Sequence, residues 1–93
     1  RDPKVVAYTE ARANGICERC DEPAPFHRPD ETPFLEVHHI VPLATGGSDE
    51  VSNTAALCPN CHRELHHGAN ASAHQETLRK KMSDAEVRTD ASH

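Results

Sequence analysis

Leu35-Glu36-Val37-His38-His39-Ile40-Val41-Pro42-Leu43 is followed by Thr45-Gly46-Gly47-Ser48-Asp49 and Asn53, and then by Ala56-Leu57-Cys58-Pro59-Asn60-Cys61-His62-Arg63-Glu64-Leu65-His66. Residues 34–41 are rich in β-branched and aromatic side chains and lie between Pro33 and Pro42, which is how a strand is punctuated. The paired glycines with Ser48 and Asp49 are turn chemistry. Ser52 and Asn53 suit a single helical turn, and residues 55–57 read as a second short strand. A helix is expected to begin near Pro59, since proline fits the first helical position, and to run to His66 or His67 before Gly68. Two strands followed by a helix make a small α+β domain.

Outward from this stretch, Asp2-Pro3 looks like an N-cap and first helical residue, with Val5, Val6, Thr9 and Ala13 on one face and Asn14-Gly15 as the stop. Residues 21–32, dense in proline, predict an irregular loop. Ser72 is placed to cap a last helix over 73–82, whose basic end, Arg79-Lys80-Lys81, suits the helix dipole. The expected domain is 1–82 with its core at 16–68, and residues 83–93 are expected to form a disordered tail.

The chain has 93 residues, 35% hydrophobic and 3% aromatic, which is little material for a core. Small domains with thin cores usually need a disulfide or a metal. Four cysteines in two pairs, Cys17-x2-Cys20 and Cys58-x2-Cys61, supply the second. Each pair can present two thiolates, and together they close a four-thiolate site on Zn2+ with no coordination position left open, so the zinc would be structural. Nothing around either pair has the βαβ pattern of a redox dithiol. Paired cysteines without a secretory signal suit a reducing, cytoplasmic setting. No apolar run approaches the roughly 18 residues of a membrane span, so no membrane partner is expected. The chain opens on Arg1 rather than Met, as an excised piece of a longer protein would.

The histidines carry the chemistry. His62 and His66, four residues apart on the expected helix, share a face, which is the spacing two imidazoles need to bind one metal. His38 and His39 are strand neighbours and tend to point to opposite sides, so one can face a metal while the other faces an attacking water, given a turn that brings both to one cleft. Glu36 shares a strand face with His38 and is expected either to orient it or to face solvent. His27, His67, His74 and His93 read as ordinary solvated residues.

These residues together resemble HNH endonucleases, most nearly the McrA-like branch that keeps a four-cysteine zinc site. The resemblance covers about 16–68 and also takes in the helix before Cys17, which is similar to the lead-in of HNH domains fused to modified-base readers. It implies a ββα-metal (HNH) fold with flanking helices and a metal-dependent DNA endonuclease, the cleavage domain of a modification-dependent restriction enzyme. It assigns His39 as general base, His38 and His62 as ligands of a catalytic divalent metal, Asn53 as brace of the loop and the base, and His66 as a further ligand. Histidine exchanges a proton near neutral pH, as a base for water requires. The metal could be Mg2+, Mn2+, Co2+ or Ni2+, the imidazole-rich set favouring the last three. A single such centre cuts one strand at a time, so double-strand cleavage would need a homodimer or two nicks.

Charge weighs on this reading. Lys and Arg number 10 against 15 Asp and Glu, a formal −5, whereas nucleic-acid binders usually show a basic excess. The domain alone is therefore expected to bind DNA weakly, with Arg63, Arg79, Lys80 and Lys81 as candidate phosphate contacts and a separate domain reading any modified base. The alternatives are a non-catalytic zinc module that binds nucleic acid or protein, and a nicking nuclease of homing or phage type. The module accounts for the cysteines but gives no reason for His38, His39, Asn53 and His62 together.

Overall fold

The computed structural model describes residues 2–91, with side chains described through Asp84. Helix α1 (Pro3–Ala13) begins as expected: the Asp2 side chain accepts from the Lys4 backbone N–H, and Asn14 closes the helix at φ 51°, in the left-handed region. The chain then turns through Cys17 and Cys20 and runs irregularly to Pro33, touched by two isolated bridges, Ile16 to Pro23 and His27 to Pro33.

Strands β1 (Glu36–His39) and β2 (Thr54–Leu57) pair antiparallel, Glu36 opposite Leu57 and His39 opposite Thr54. The strand expected over 34–41 is thus four residues long. Its ladder stops because the next partner is Asn53. Ile40 N–H donates to the Asn53 backbone carbonyl, and Val41 N–H donates to the Asn53 side chain. Between the strands, 3-10 turns span Leu43–Thr45 and Val51–Asn53. Gly47 is needed for close approach rather than for an unusual φ, since a Cβ there would lie 1.8 Å from the Val41 carbonyl oxygen.

Helix α2 (Pro59–His67) has the expected bounds, and α3 (Ala71–Ala91) does not. Ser72, read as a cap, lies inside α3, which continues nine residues past the expected end at Met82. No glycine or proline interrupts the sequence after Gly68, so nothing local stops the helix. Of the expected tail, residues 83–91 are helical, and 92 and 93 lie outside the described residues.

Strand β2 is buried along its whole length, packed against α1 and α2 and following directly on the Val51–Asn53 turn. Leu35, Ile40, Ala55, Ala56, Leu57, Cys61, Leu65, Leu78 and Met82 form most of the core. Cys61 and Leu65, four apart, turn one face of α2 inward, and Leu78 and Met82 do the same for α3. Because that core is small and rich in alanine, polar staples matter. Arg12 on α1 grips the Glu18 carboxylate with Nε and Nη2 at 2.7 and 2.8 Å and donates to the carbonyls of Val51 and Thr54. Glu18 in turn accepts from the Ala56 N–H of β2 at 3.0 Å, and the Thr9 and Thr54 hydroxyls meet at 2.7 Å in the buried interior.

Candidate active site

The fold brings the four cysteines to one point. The turn after α1 offers Cys17 and Cys20, the start of α2 offers Cys58 and Cys61, and their sulfurs all lie within 4.8 Å of one another. Cys20 and Cys58 are 4.0 Å apart at sulfur. Bonds of about 2.3 Å in a tetrahedron separate ligand sulfurs by about 3.8 Å, so the donor set fits one zinc ion. Burial would raise the Cys17 thiol, but backbone N–H groups of Cys20, Cys58 and Arg19 bring it down to about 7. Burial pushes Cys20 and Cys61 up. Arg19 stands beside Cys61 and pairs with Glu64, a cation next to a cluster that would carry about two negative charges with zinc bound.

A second cluster forms across β1 and α2. His38, His62 and His66 each turn a ring nitrogen into a space where all three lie within 4.8 Å. Their ring centroids are 4.9 to 5.1 Å apart, in edge-on arrangements. The Nε2 atoms of His62 and His66 are 3.2 Å apart, close to the spacing of two nitrogens on one metal with bonds of about 2.0–2.1 Å. Three imidazoles leave further coordination positions open, unlike the four-cysteine set. Burial falls from His38, 4% exposed at the floor, to His66 at the solvent edge, so the centre opens outward. Burial, followed by the neighbouring imidazoles of His62, His66 and His39, holds His38 below the usual histidine value, with its bond to Gln75 acting the other way.

The two inner rings of this cluster are each fixed by an acceptor. Nδ1 of His62 meets Glu36 Oε1 at 2.9 Å, and Nε2 of His38 meets Gln75 Oε1 at 3.0 Å. Glu36 does share the strand face of His38, but it holds His62 instead, because α2 crosses that face. His39 sits one residue on, with its side chain on the other face of β1, and its Nε2 meets Asp49 Oδ1 at 2.8 Å. The His39 contact, together with the Asp2 backbone N–H, lowers the Asp49 carboxyl below its ordinary value.

Asn53 clamps the loop between the strands. Its Oδ1 accepts from Val41 N–H at 3.0 Å, and its Nδ2 donates to the Val41 carbonyl at 3.0 Å and the Ser48 carbonyl at 2.8 Å. That holds Asp49, the residue after Ser48, where it meets His39.

The four cations read as phosphate contacts are not gathered together. Arg63 lines a cleft with Glu36, His62, His66 and His67. Arg79 is paired with Glu76, Lys80 is exposed, and Lys81 is bound to Asp21 and the Arg19 carbonyl near the cysteine cluster. Arg28 was missed in the sequence. It is fixed to the carbonyls of Pro33 and Leu35, lies 4.9 Å over the Phe34 ring, and lines a second cleft with Glu36 and His62. Asp49 and Gln75 were also missed as partners of the histidines. The Gly46-Gly47-x-Asp49 spacing was a signal for the first, but no local pattern marks Gln75.

The family model described as HNH endonuclease matches residues 17–68. Over 71 residues the chain is 55% identical to the type IV methyl-directed restriction enzyme EcoKMcrA of Escherichia coli (strain K12), covering 76% of this chain and 26% of that enzyme. It is 45% identical over 31 residues to anaredoxin of Nostoc sp. (strain PCC 7120 / SAG 25.82 / UTEX 2576), covering 33% of this chain and 41% of that protein. Its structure is similar to that of the type IV phosphorothioation-dependent restriction endonuclease ScoMcrA, with TM-score 0.86 and 32% identity over 95% of this chain and 17% of ScoMcrA. The chain thus spans about a quarter of the first of these relatives and less of ScoMcrA.

Proposed function

The chain belongs to the HNH endonuclease family, and from that premise we propose that it hydrolyses DNA phosphodiesters as the cleavage domain of a modification-dependent restriction enzyme. The observation that carries this is the meeting of His38, His62 and His66 on one side of β1, with His39 at the next position held by Asp49. A zinc-binding module would need the cysteines but none of these contacts.

In this reading His38, His62 and His66 would hold one divalent ion, which when bound would supply charge stabilisation at the scissile phosphate and the departing 3′ oxygen. His39 is the general base. The Asp49 carboxylate accepts Nε2–H, so Nδ1 of His39 keeps its lone pair to take a proton from water. The water oxygen bonds to phosphorus as the bond to the 3′ oxygen breaks, leaving a 5′ phosphate and a 3′ alkoxide that takes a proton from solvent to become the 3′ hydroxyl. Asn53 contributes by holding the loop that carries Asp49. Arg28 and Arg63, in the two clefts that share Glu36 and His62, offer cations to flanking phosphates. Arg79, Lys80 and Lys81 line neither of these clefts, and Arg79 and Lys81 are held by Glu76 and Asp21. The cysteine cluster holds structural Zn2+, and the imidazole set favours Mn2+, Co2+ or Ni2+ over Mg2+ at the catalytic position.

The formal charge of −5 favours weak DNA binding by this domain alone. Target choice, including any modified base, is then the work of another part of a longer chain, in keeping with the share of EcoKMcrA and ScoMcrA that it spans.

A plasmid-nicking assay with Mn2+ or Mg2+ on zinc-loaded protein tests the proposal. Nicking that stops with EDTA and in His39→Ala supports it. A folded, zinc-loaded domain that cuts nothing, alone or joined to the rest of its chain on modified DNA, would return the protein to the binding-module class.

A further inference from the structure

Gln75 lies on α3, outside the residues that the family model matches, yet it touches the most buried member of the histidine cluster. We propose that Gln75 is a positioning residue for the metal centre: its side-chain carbonyl accepts Nε2–H of His38, fixing that ring in the tautomer whose Nδ1 lone pair is left for the metal.

The reasoning starts from what a buried imidazole needs. A neutral histidine carries one N–H and one lone pair, and only the nitrogen with the lone pair can bind a metal. A side-chain carbonyl oxygen has no hydrogen to give, so the 3.0 Å contact between Gln75 Oε1 and His38 Nε2 requires the hydrogen on Nε2. His62 is set in the complementary way. The Glu36 carboxylate takes Nδ1–H, and the free Nε2 faces Nε2 of His66. Two rings of one cluster are therefore keyed by acceptors on different elements, β1 for His62 and α3 for His38.

Position makes the second key matter more. His38 is 4% exposed, so water cannot readily replace a lost acceptor, and the ring would turn or shift its hydrogen. His66, at the solvent edge, has no such constraint. Gln75 is held in turn by α3, whose Leu78 and Met82 sit in the core, so the amide is presented from a fixed helix rather than a loop. Partners of this kind typically change metal affinity by about 10–100-fold when removed.

The inference rests on the reading of His38, His62 and His66 as a metal site, and the test separates the two. Protein loaded with zinc at the cysteines is first examined by nitrogen-15 NMR. His38 as the Nε2–H tautomer supports the inference, and His38 as Nδ1–H overturns it without any variant. Ni2+ is then titrated calorimetrically into the wild type, Gln75→Met, Gln75→Glu and His62→Ala, with bound zinc checked in each. Binding weakened about tenfold or more in Gln75→Met and largely restored in Gln75→Glu supports the assignment. Ni2+ affinity unchanged in Gln75→Met, while His62→Ala loses binding, overturns the role of Gln75 and leaves the metal site standing. Ni2+ that binds His62→Ala as well as the wild type overturns both.

Discussion

The Glu36 carboxylate on β1 takes Nδ1–H of His62 on α2 across 2.9 Å, so the strand that carries His38 also sets the ring opposite it. Packing of α2 against β1 brings the three imidazoles together, and this contact orients the His62 ring within that arrangement.

We expect Glu36→Ala to weaken divalent-metal binding at the histidines by about 10–100-fold, because the His62 ring loses the acceptor that frees its Nε2. Glu36→Gln, which keeps a carbonyl oxygen in place, should fall between Glu36→Ala and the wild type. Isothermal titration with Ni2+ measures this, with zinc at the cysteines as a control for folding. Equal affinity in Glu36→Ala and the wild type would mean that the contact does not orient the ring.

Asn53→Asp is nearly isosteric but removes both donated bonds and sets an acceptor against the carbonyls of Val41 and Ser48. Urea unfolding should show a loss of about 1–3 kcal/mol, the usual cost of leaving buried partners unpaired. Nicking should fall further than stability does, since the loop that this amide clamps presents Asp49 to His39. A variant that is destabilised but cuts at the wild-type rate would separate the clamp from the chemistry.

Stripping zinc should unfold the domain, since a buried core of a few leucines, one isoleucine, one methionine and several alanines is thin support for 93 residues. Circular dichroism with a strong chelator, followed by zinc addition, reads the loss and its reversal. With Cys17 brought down to about 7 and Cys20 and Cys61 pushed up, zinc must displace protons from the latter two at neutral pH. Apparent affinity should therefore fall as pH falls, and calorimetry in buffers of different ionisation enthalpy should register proton release.

His38 should titrate below the ordinary histidine value of 6.5 when followed by NMR in the absence of a metal at the histidines, and lower still in Gln75→Met, because the Gln75 bond acts to raise it. The sign for stability follows. Below 6.5 the unfolded chain takes the proton first, so the contribution of this residue is fully present above 6.5 and is lost as pH drops through the folded value. A His38 that titrates at or above 6.5 would contradict its burial among three other imidazoles.

Much of this was legible locally. The cap at Asp2, the stop at Asn14, the start of α2 at Pro59 and its end before Gly68 are short-range signals, each decided within a few residues. So were the two cysteine pairs and the i, i+4 spacing of His62 and His66. The ends of β1 were not, because the ladder past His39 is taken over by Asn53. Nor was the length of α3, where no residue marks a stop and helical propensity alone sets no boundary. The need for glycine at 47 was likewise invisible, since it comes from the Val41 carbonyl folding back upon it.

From the sequence alone came the inventory: two thiol pairs, the imidazoles, the strand–strand–helix order and so the family. Spacing along a chain determines which donors share a helix face or a turn, and those short separations survive folding unchanged. Tertiary structure alone decided which group holds each ring, Glu36 for His62 across 26 residues and Gln75 for His38 across 37. Strand alternation puts Glu36 beside His38. It reaches His62 because packing lays α2 across that face of β1, and a hydrogen bond depends on the final distance between two atoms, which no local pattern specifies.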